Sequence, residues 1–395
     1  MLLRLSKKIR YVIEMSSLYP YFMKRLMVKI RTFFKRRPLY PYEESYQFDR
    51  ETQEKLDQMK DLIPPQNRGD SPVFQANWSS VFERQRLAHQ VAESVEQVIG
   101  RNHLKGELNS LEMLRNIGCV LLQNKKLSHK TTDQILTYFE NHKVYPSHVA
   151  HFTLHRPMPK KWVEEKEPFG CYDIKTILGA PHIVSFLTDP EVVGLVADYF
   201  GCLPTLSSLN LFWSFVAKKK IAQGSQRFHR DVNDYKTLTL LINLTDTTAD
   251  DGAHAYIEKS HDYPAITEIF QDNLNDTLPK DLNPLNRRLR ADDFFKLPLN
   301  GYGFDRLYEH FFRNHIVKIY GEKGTVVLTD NYGIHRGIPP QRKERLLLWV
   351  SYSLTAVDTV SVSVKSQQRI HRSQIKTVDD TAANRYILRN IVDFQ

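Results

Sequence analysis

The chain has 395 residues, of which 41% are hydrophobic and 25% charged, so it can bury a sizeable core in one large domain or two and is not wholly disordered. Its three cysteines, Cys119, Cys171 and Cys202, form no CxxC pair, which excludes a zinc ribbon or a disulfide framework and points to a reducing compartment. The net charge of +10 sits in one place: residues 1–37 hold eleven Lys/Arg against Glu14 alone, and the remainder balances.

That arm, residues 1–37, reads as two short helices broken at Pro20. In the second, Phe22, Met23, Leu26, Met27, Ile30, Phe33 and Phe34 share one face and Lys24, Arg25, Lys29, Arg31, Lys35 and Arg36 the other. A basic amphipathic helix of this kind suits an anionic membrane surface. Packing of the apolar stripe on the body of the protein is the competing reading. Nucleic acid is not an expected partner, because no recognised module accompanies the charge. No apolar run approaches the roughly 20 residues that span a bilayer, and no uninterrupted apolar core precedes a small-residue cleavage site. A cytoplasmic protein is therefore expected, peripheral on the inner face of the membrane if the arm docks there.

Residues 38–107 read as a linker and helical extension, with Pro64-Pro65 in the linker and a helix over 81–100. From 108 to 358 the pattern is that of one domain. Its first pieces are a helix over Ser110–Asn116 stopped by Gly118, a short strand Cys119–Leu122 and a helix from Ser128 to about Asn141. Asp189-Pro190-Glu191 is a strong helix start, and Gly201 ends that helix. Strands are expected at 205–216, 227–231, 236–244, 252–257, 315–320, 324–329 and 345–354. A polar insertion, 262–314, interrupts them and ends in a helical piece near Arg306–Phe312. Residues 359–395 are left as a C-terminal tail. Short strands after a helical half predict an α+β protein with a β-sandwich or barrel carrying helices outside.

His229-Arg230-Asp231 is the first fragment that carries chemistry. On an extended segment residues i and i+2 point to one face, so imidazole and carboxylate can meet one ion. His335, just beyond the strand Thr325–Thr329, supplies a third ligand. Two imidazoles and a carboxylate on one face of an iron leave three adjacent positions open. Zinc would prefer a closed four-coordinate site with thiolates. Arg345 opens the apolar strand Arg345-Leu346-Leu347-Leu348-Trp349, where its charge would cost several kcal/mol to bury unless it met an anion. A dicarboxylic cosubstrate, gripped by the guanidinium fork, meets that need. Arg342, in the turn Pro339–Lys343, is the rival and is expected to be solvated. The cluster His148, His151 and His155 lacks carboxylate or thiolate partners and is not read as a second metal site; it could line a substrate entrance. His254 and His261 flank a turn, and the Ser260-His261 pair is expected to shape structure rather than chemistry.

Over residues 108–358 the chain resembles the phytanoyl-CoA dioxygenase family of iron and 2-oxoglutarate hydroxylases. The matching pieces, in order, are the helix-Gly118-strand-Ser128-helix opening, Leu187-Thr188-Asp189-Pro190 with Gly201, and His229-Arg230-Asp231. Then come Leu244-Thr245-Asp246, Gly252 through Tyr256-Ile257 to Ser260-His261, Gly324-Thr325-Val326-Val327, His335-Arg336-Gly337 and Arg345. The resemblance implies a double-stranded β-helix core of the jelly-roll or cupin type, with flanking helices and an N-terminal helical extension. It implies iron(II) on His229, Asp231 and His335, 2-oxoglutarate with a carboxylate held by Arg345, and dioxygen as co-reactant. The implied activity couples oxidation of 2-oxoglutarate to succinate with hydroxylation of an unactivated carbon of a lipid, glycan precursor or small metabolite. Related halogenases carry Ala or Gly where this chain has Asp231. Some members carry a hydroxyl residue two positions after the distal histidine, where this chain has Gly337. The alternative class is a non-catalytic double-stranded β-helix module docking at a membrane surface, which predicts erosion of the triad.

Overall fold

The computed structural model describes residues 81–99, 104–147, 156–216, 224–231, 234–273, 305–354, 370–375 and 378–394. The arm 1–37, the segment 38–80, His148, His151, His155 and residues 274–304 of the insertion lie outside the described residues.

Helix α1 (Val81–Ile99) and helix α2 (Leu108–Ile117) precede strand β1 (Cys119–Leu121). Gly118 ends α2 at φ 93, where a Cβ would also stand 2.2 Å from the Tyr256 hydroxyl, so both backbone and space demand glycine. Ser128 caps α3 (His129–Glu140) by accepting the Thr131 N–H at 3.1 Å. Between α3 and Asp189 lie α4 (Lys160–Glu164), β2 (Phe169–Cys171), α5 (Ile174–Leu178) and α6 (Ile183–Leu187), none of them anticipated. At three to five residues each, they are too short for periodicity to register. Asp189 caps α7 (Pro190–Phe200) by accepting the Glu191 and Val192 N–H groups at 3.0 and 3.1 Å. Gly201 closes α7 in the left-handed conformation.

The strands that follow are β3 (Thr205–Ser214), β4 (Thr237–Asn243) and β5 (His254–Ile257). Helices α8 (Tyr263–Asp272) and α9 (Asp305–Phe311) open and close the insertion. They precede β6 (Ile316–Ile319), β7 (Val326–Thr329), β8 (His335–Gly337) and β9 (Arg345–Ser353). The expected strand 227–231 is reduced to a single bridge, His229 to His335, and β8 was not foreseen. A six-stranded antiparallel sheet runs β1-β7-β4-β9-β3-β2, and a three-stranded antiparallel sheet runs β6-β5-β8. Beyond them, β10 (Ile370–His371) pairs in parallel with β11 (Val392–Asp393) around α10 (Ala382–Leu388). The architecture is thus helices combined with antiparallel sheet.

Alternation along the strands separates two faces of the large sheet. Leu346, Leu348, Val350 and Tyr352 of β9, with Leu238, Leu240 and Ile242 of β4, join the principal core together with α1, α7 and other helices. Leu347 of β9, Leu241 and Val327 form a second-face cluster against which Trp349 and Ile319 of β6 pack, so the small sheet meets this face. Arg345, two residues before Leu347, shares it.

The described part of 359–395 is more than a tail. Ile370, Ile375, Val378, Tyr386, Ile387, Leu388, Ile391 and Val392 are buried in the principal core. Among the described residues no helix is long and apolar enough to cross a membrane. Leu388 is 0% exposed, so Leu388→Ala should cost about 2–5 kcal/mol of stability, read as a lowered urea midpoint. An unchanged midpoint would remove the C-terminal segment from the core.

Candidate metal centre

The geometry of the site begins with a main-chain rung. His229 and His335 exchange both backbone hydrogen bonds, each N–H to O distance being 3.0 Å, which sets the two residues side by side on neighbouring extended segments. Their rings follow, with centroids 4.3 Å apart. Each imidazole Nδ1 lies against the carbonyl oxygen two residues back: His229 on Arg227 at 2.7 Å and His335 on Gly333 at 3.0 Å. An Nδ1–H donating to a carbonyl leaves Nε2 deprotonated, the form that binds a metal. The Asp231 carboxylate completes the group, 3.7 Å from His229 Nε2 and 3.8 Å from His335 Nε2. One ligand atom from each of the three residues lies within 4.8 Å of the others. Burial, then the neighbouring His229, push His335 down to about 4, against the opposing pull of Asp231. His335 is therefore neutral near neutral pH and open to a cation.

The turn Asp330–Gly333 positions the carboxylate. Asn331 donates its Nδ2–H to Asp231 Oδ2 at 2.9 Å, and its carbonyl accepts the Asp231 N–H at 2.8 Å. Asp330 holds the turn in place: its carboxylate accepts the Tyr199 hydroxyl at 2.7 Å and the Tyr332 N–H at 2.9 Å. Buried Arg230, between the two ligands of its segment, donates to the carbonyls of Ser260 and Tyr332. The Ser260 hydroxyl accepts the Ile334 N–H at 2.6 Å, in keeping with a structural role for the Ser260-His261 pair.

Residues flanking the ligands are gripped from outside by α9. Asp305 accepts the Phe228 N–H at 2.8 Å, Glu309 pairs with Arg336 at 2.8 Å, and the Arg336 guanidinium stacks 4.2 Å above the Phe228 ring. Phe228, Tyr332 and Ile334 share a buried cluster with Ile266, Ile269 and Phe270 of α8 and Leu307 and Phe311 of α9. The described ends of the insertion therefore buttress the histidine-bearing segments.

Arg345 and Arg342 have opposite surroundings. Arg342 is an exposed side chain with its own anion: its Nη2 and Nε lie 3.0 and 3.1 Å from Asp251 Oδ2. Although burial opposes it, the backbone N–H groups of Arg342, Gln341 and Lys343 hold the Asp251 carboxyl down at about 2. Arg345 is buried, and among the described residues it has no carboxylate; it donates to the Gly252 carbonyl, and its Nε is without a partner. Burial alone pushes its guanidinium down to about 10. Gly252, at φ 84, lets the stem of Arg345 pass, since a Cβ there would stand 2.6 Å from Arg345 Cδ. Beside Nη2, at Gly337, a Cβ would meet Arg345 at 3.6 Å, an ordinary contact distance that leaves room for a small group.

Three further residues escaped the sequence reading. Asn331 and Gly252 act through partners distant in the chain; Gly252 stands among the family-like residues, but its contact with Arg345 has no local signal. His254 does not flank a turn but opens β5 inside the site, its ring 5.4 Å from that of His335. Burial, then His335, Arg345 and His229, hold it well below the ordinary imidazole range. The buried thiols of Cys119 and Cys202 are pushed up to about 12, chiefly by burial, which removes them as nucleophiles.

No protein-family profile and no curated protein matches the chain in sequence. Solved structures do resemble it. One is the non-haem α-ketoglutarate-dependent carbocyclase SnoK from nogalamycin biosynthesis, at 14% identity and TM-score 0.38 over 62% of this chain and 83% of that one. A second is HygX from Streptomyces hygroscopicus with nickel and 2-oxoglutarate bound, at 12% identity and TM-score 0.37 over 67% of this chain and 90% of that one. A third is the non-haem monooxygenase ThoJ in a nickel complex, at 18% identity and TM-score 0.34 over 61% and 76%. These likenesses are distant in both sequence and geometry, and the reading of the site stands on the residues above.

Because Asn331 orients the Asp231 carboxylate, Asn331→Ala should weaken binding of a divalent metal about 10–100-fold, measured by competition with a chromogenic chelator. Wild-type affinity in that variant would show that Asp231 is oriented by something else.

Proposed function

We propose that the chain is a non-haem iron(II), 2-oxoglutarate-dependent oxygenase with a double-stranded β-helix core, hydroxylating an unactivated carbon of a lipid, glycan precursor or small metabolite. The observation that carries this reading is a pairing. A two-histidine, one-carboxylate group lies near a buried arginine that the described chain leaves without an anion.

The donor set fits iron(II): two imidazole nitrogens and one carboxylate oxygen on one side, with no thiolate among them. His229 Nε2, His335 Nε2 and Asp231 would hold the ion. The unpartnered Arg345 Nε and the space at Gly337 fit one carboxylate of a dicarboxylic acid. When bound, iron and 2-oxoglutarate supply the electrons that activate dioxygen. The chain's own residues do the rest. Main-chain carbonyls keep both histidines in the metal-binding tautomer, Asn331 aims the carboxylate, and Arg345 neutralises the distal charge of the cosubstrate. Leu347, on the Arg345 face, packs with Leu241 and Val327 and keeps water from that ion pair.

Loss of either ligand, in His229→Ala or Asp231→Ala, should abolish succinate formation from 2-oxoglutarate. Arg345→Ala should lower the affinity for 2-oxoglutarate by roughly 3–5 kcal/mol, since it strands a buried carboxylate. Arg342→Ala, whose side chain is 68% exposed and paired with Asp251, should leave it near wild type. Succinate release unchanged in both ligand variants sinks the reading; a reversal of the two arginine variants would move the cosubstrate to the other guanidinium.

In this proposal the arm 1–37 holds the enzyme at an anionic membrane surface, a reading supported by its charge and its apolar stripe. Full-length protein should co-sediment with anionic liposomes and be released by salt, whereas protein lacking 1–37 should not bind. Indifference of the full-length protein at low salt would confine the substrate to soluble molecules.

A further inference from the structure

We infer that His254 is a second positioning residue for the distal carboxylate of the cosubstrate, donating a hydrogen bond from Nε2 beside Arg345; this rests on the oxygenase reading above. His254 stands opposite Gly337 on β8 and opposite Ile319 on β6. Residues in register across antiparallel strands project to the same side, and so do residues two apart on one strand. His254 therefore shares the side of Gly337 and of the metal-ligand candidate His335, with the two rings 5.4 Å apart. Its Nε2 is buried and has no hydrogen-bond partner among the described residues. Next to it Gly337 presents no side chain, and the position a Cβ would take lies 3.6 Å from Arg345 Nη2 and 3.9 Å from the Ser225 carbonyl oxygen. Arg345 Nη2 borders that space, and among the described residues two buried nitrogens lack partners nearby: Nε of the same guanidinium and Nε2 of His254, the residue paired with Gly337.

Buried polar atoms are normally satisfied, and two unpartnered nitrogens on neighbouring residues, the imidazole in its Nε2–H tautomer, match an acceptor from outside the chain. A carboxylate has about four lone-pair sites, of which a guanidinium fork occupies two. A neutral imidazole N–H fills a third without bringing a second positive charge to a site that already holds one. His254 is not grouped with the three metal-ligand candidates. Its role is to fix the direction and length of the cosubstrate, which separates a five-carbon dicarboxylate from a monocarboxylate with the same chelating end.

The test is anaerobic calorimetry on full-length, nickel(II)-loaded protein, titrated with 2-oxoglutarate and with 2-oxobutyrate, which lacks the distal carboxylate. His254→Leu should weaken 2-oxoglutarate roughly tenfold, the worth of one hydrogen bond to a charged acceptor, while 2-oxobutyrate and nickel affinities stay put. His254→Gln should regain most of the loss, because its amide can donate; this also guards against a misfolded leucine variant, which a lowered melting temperature would reveal. Three results overturn the inference: wild-type 2-oxoglutarate affinity in His254→Leu, an equal loss for both ligands, or a loss of nickel. Wild-type nickel protein that binds no 2-oxoglutarate overturns both this inference and the oxygenase reading beneath it.

Discussion

A buried cation with no counter-ion among the described residues is the constraint around which the site is organised. Desolvating a guanidinium costs several kcal/mol, and folded chains offset that cost with a carboxylate. Arg342 has one in Asp251, though it is exposed and needs it less; Arg345 is buried and receives a single carbonyl. The fold goes to some length to keep Arg345 there. Gly252 lends both its carbonyl and its missing side chain, and the large sheet holds the first residue of β9 in register with Ser214. Such an arrangement is costly as structure and sensible as a receptor for an anion.

The metal end is built on a different principle. Where Arg345 is left short of partners among the described residues, the three ligand candidates are oriented by the chain itself, largely through its main chain. Arg227 and Gly333 offer carbonyls to the two imidazoles, and Asn331 grips Asp231 through both backbone and side chain. Outside, α8 and α9 wedge a buried apolar cluster against the same segments, with Asp305 and Glu309 tying down Phe228 and Arg336. The histidine-carboxylate group and Arg345 thus differ in what holds them, one being set by preorganised backbone and the other left with an electrostatic deficit.

Much of this was legible from residue order. Asp189-Pro190 and Gly201 mark α7 because caps are local chemistry, and the long strands β3, β4 and β9 announce themselves by apolar content. The His-x-Asp spacing with the later His335 marked the clustered trio, and the burial of Arg345 against the exposure of Arg342 followed from strand against turn composition. What escaped depends on register between segments far apart. His254 matters because it lies opposite Gly337, Asn331 because it lies beside Asp231, and Gly252 because the Arg345 stem crosses it. No local pattern encodes those meetings. The short pieces α4 to α6 and β8 escaped for another reason: three to five residues complete too little of a period. The C-terminal segment read as a tail because its apolar residues are scattered among polar ones, yet they converge on the principal core once α10 forms.

The rung between His229 and His335 has a consequence for which ions the centre can hold. Two residues that share a pair of main-chain hydrogen bonds cannot drift apart without breaking the ladder, so the span between their imidazoles acts as a ruler of fixed length. Asp231 is the adjustable jaw of this caliper. Its carboxylate pivots on one oxygen, held by Asn331, and leaves the other to follow the radius of whatever cation is seated. Tolerance among divalent ions of similar size is then a property of one side chain and its amide neighbour, while the histidines decide where along the sheet any ion must sit.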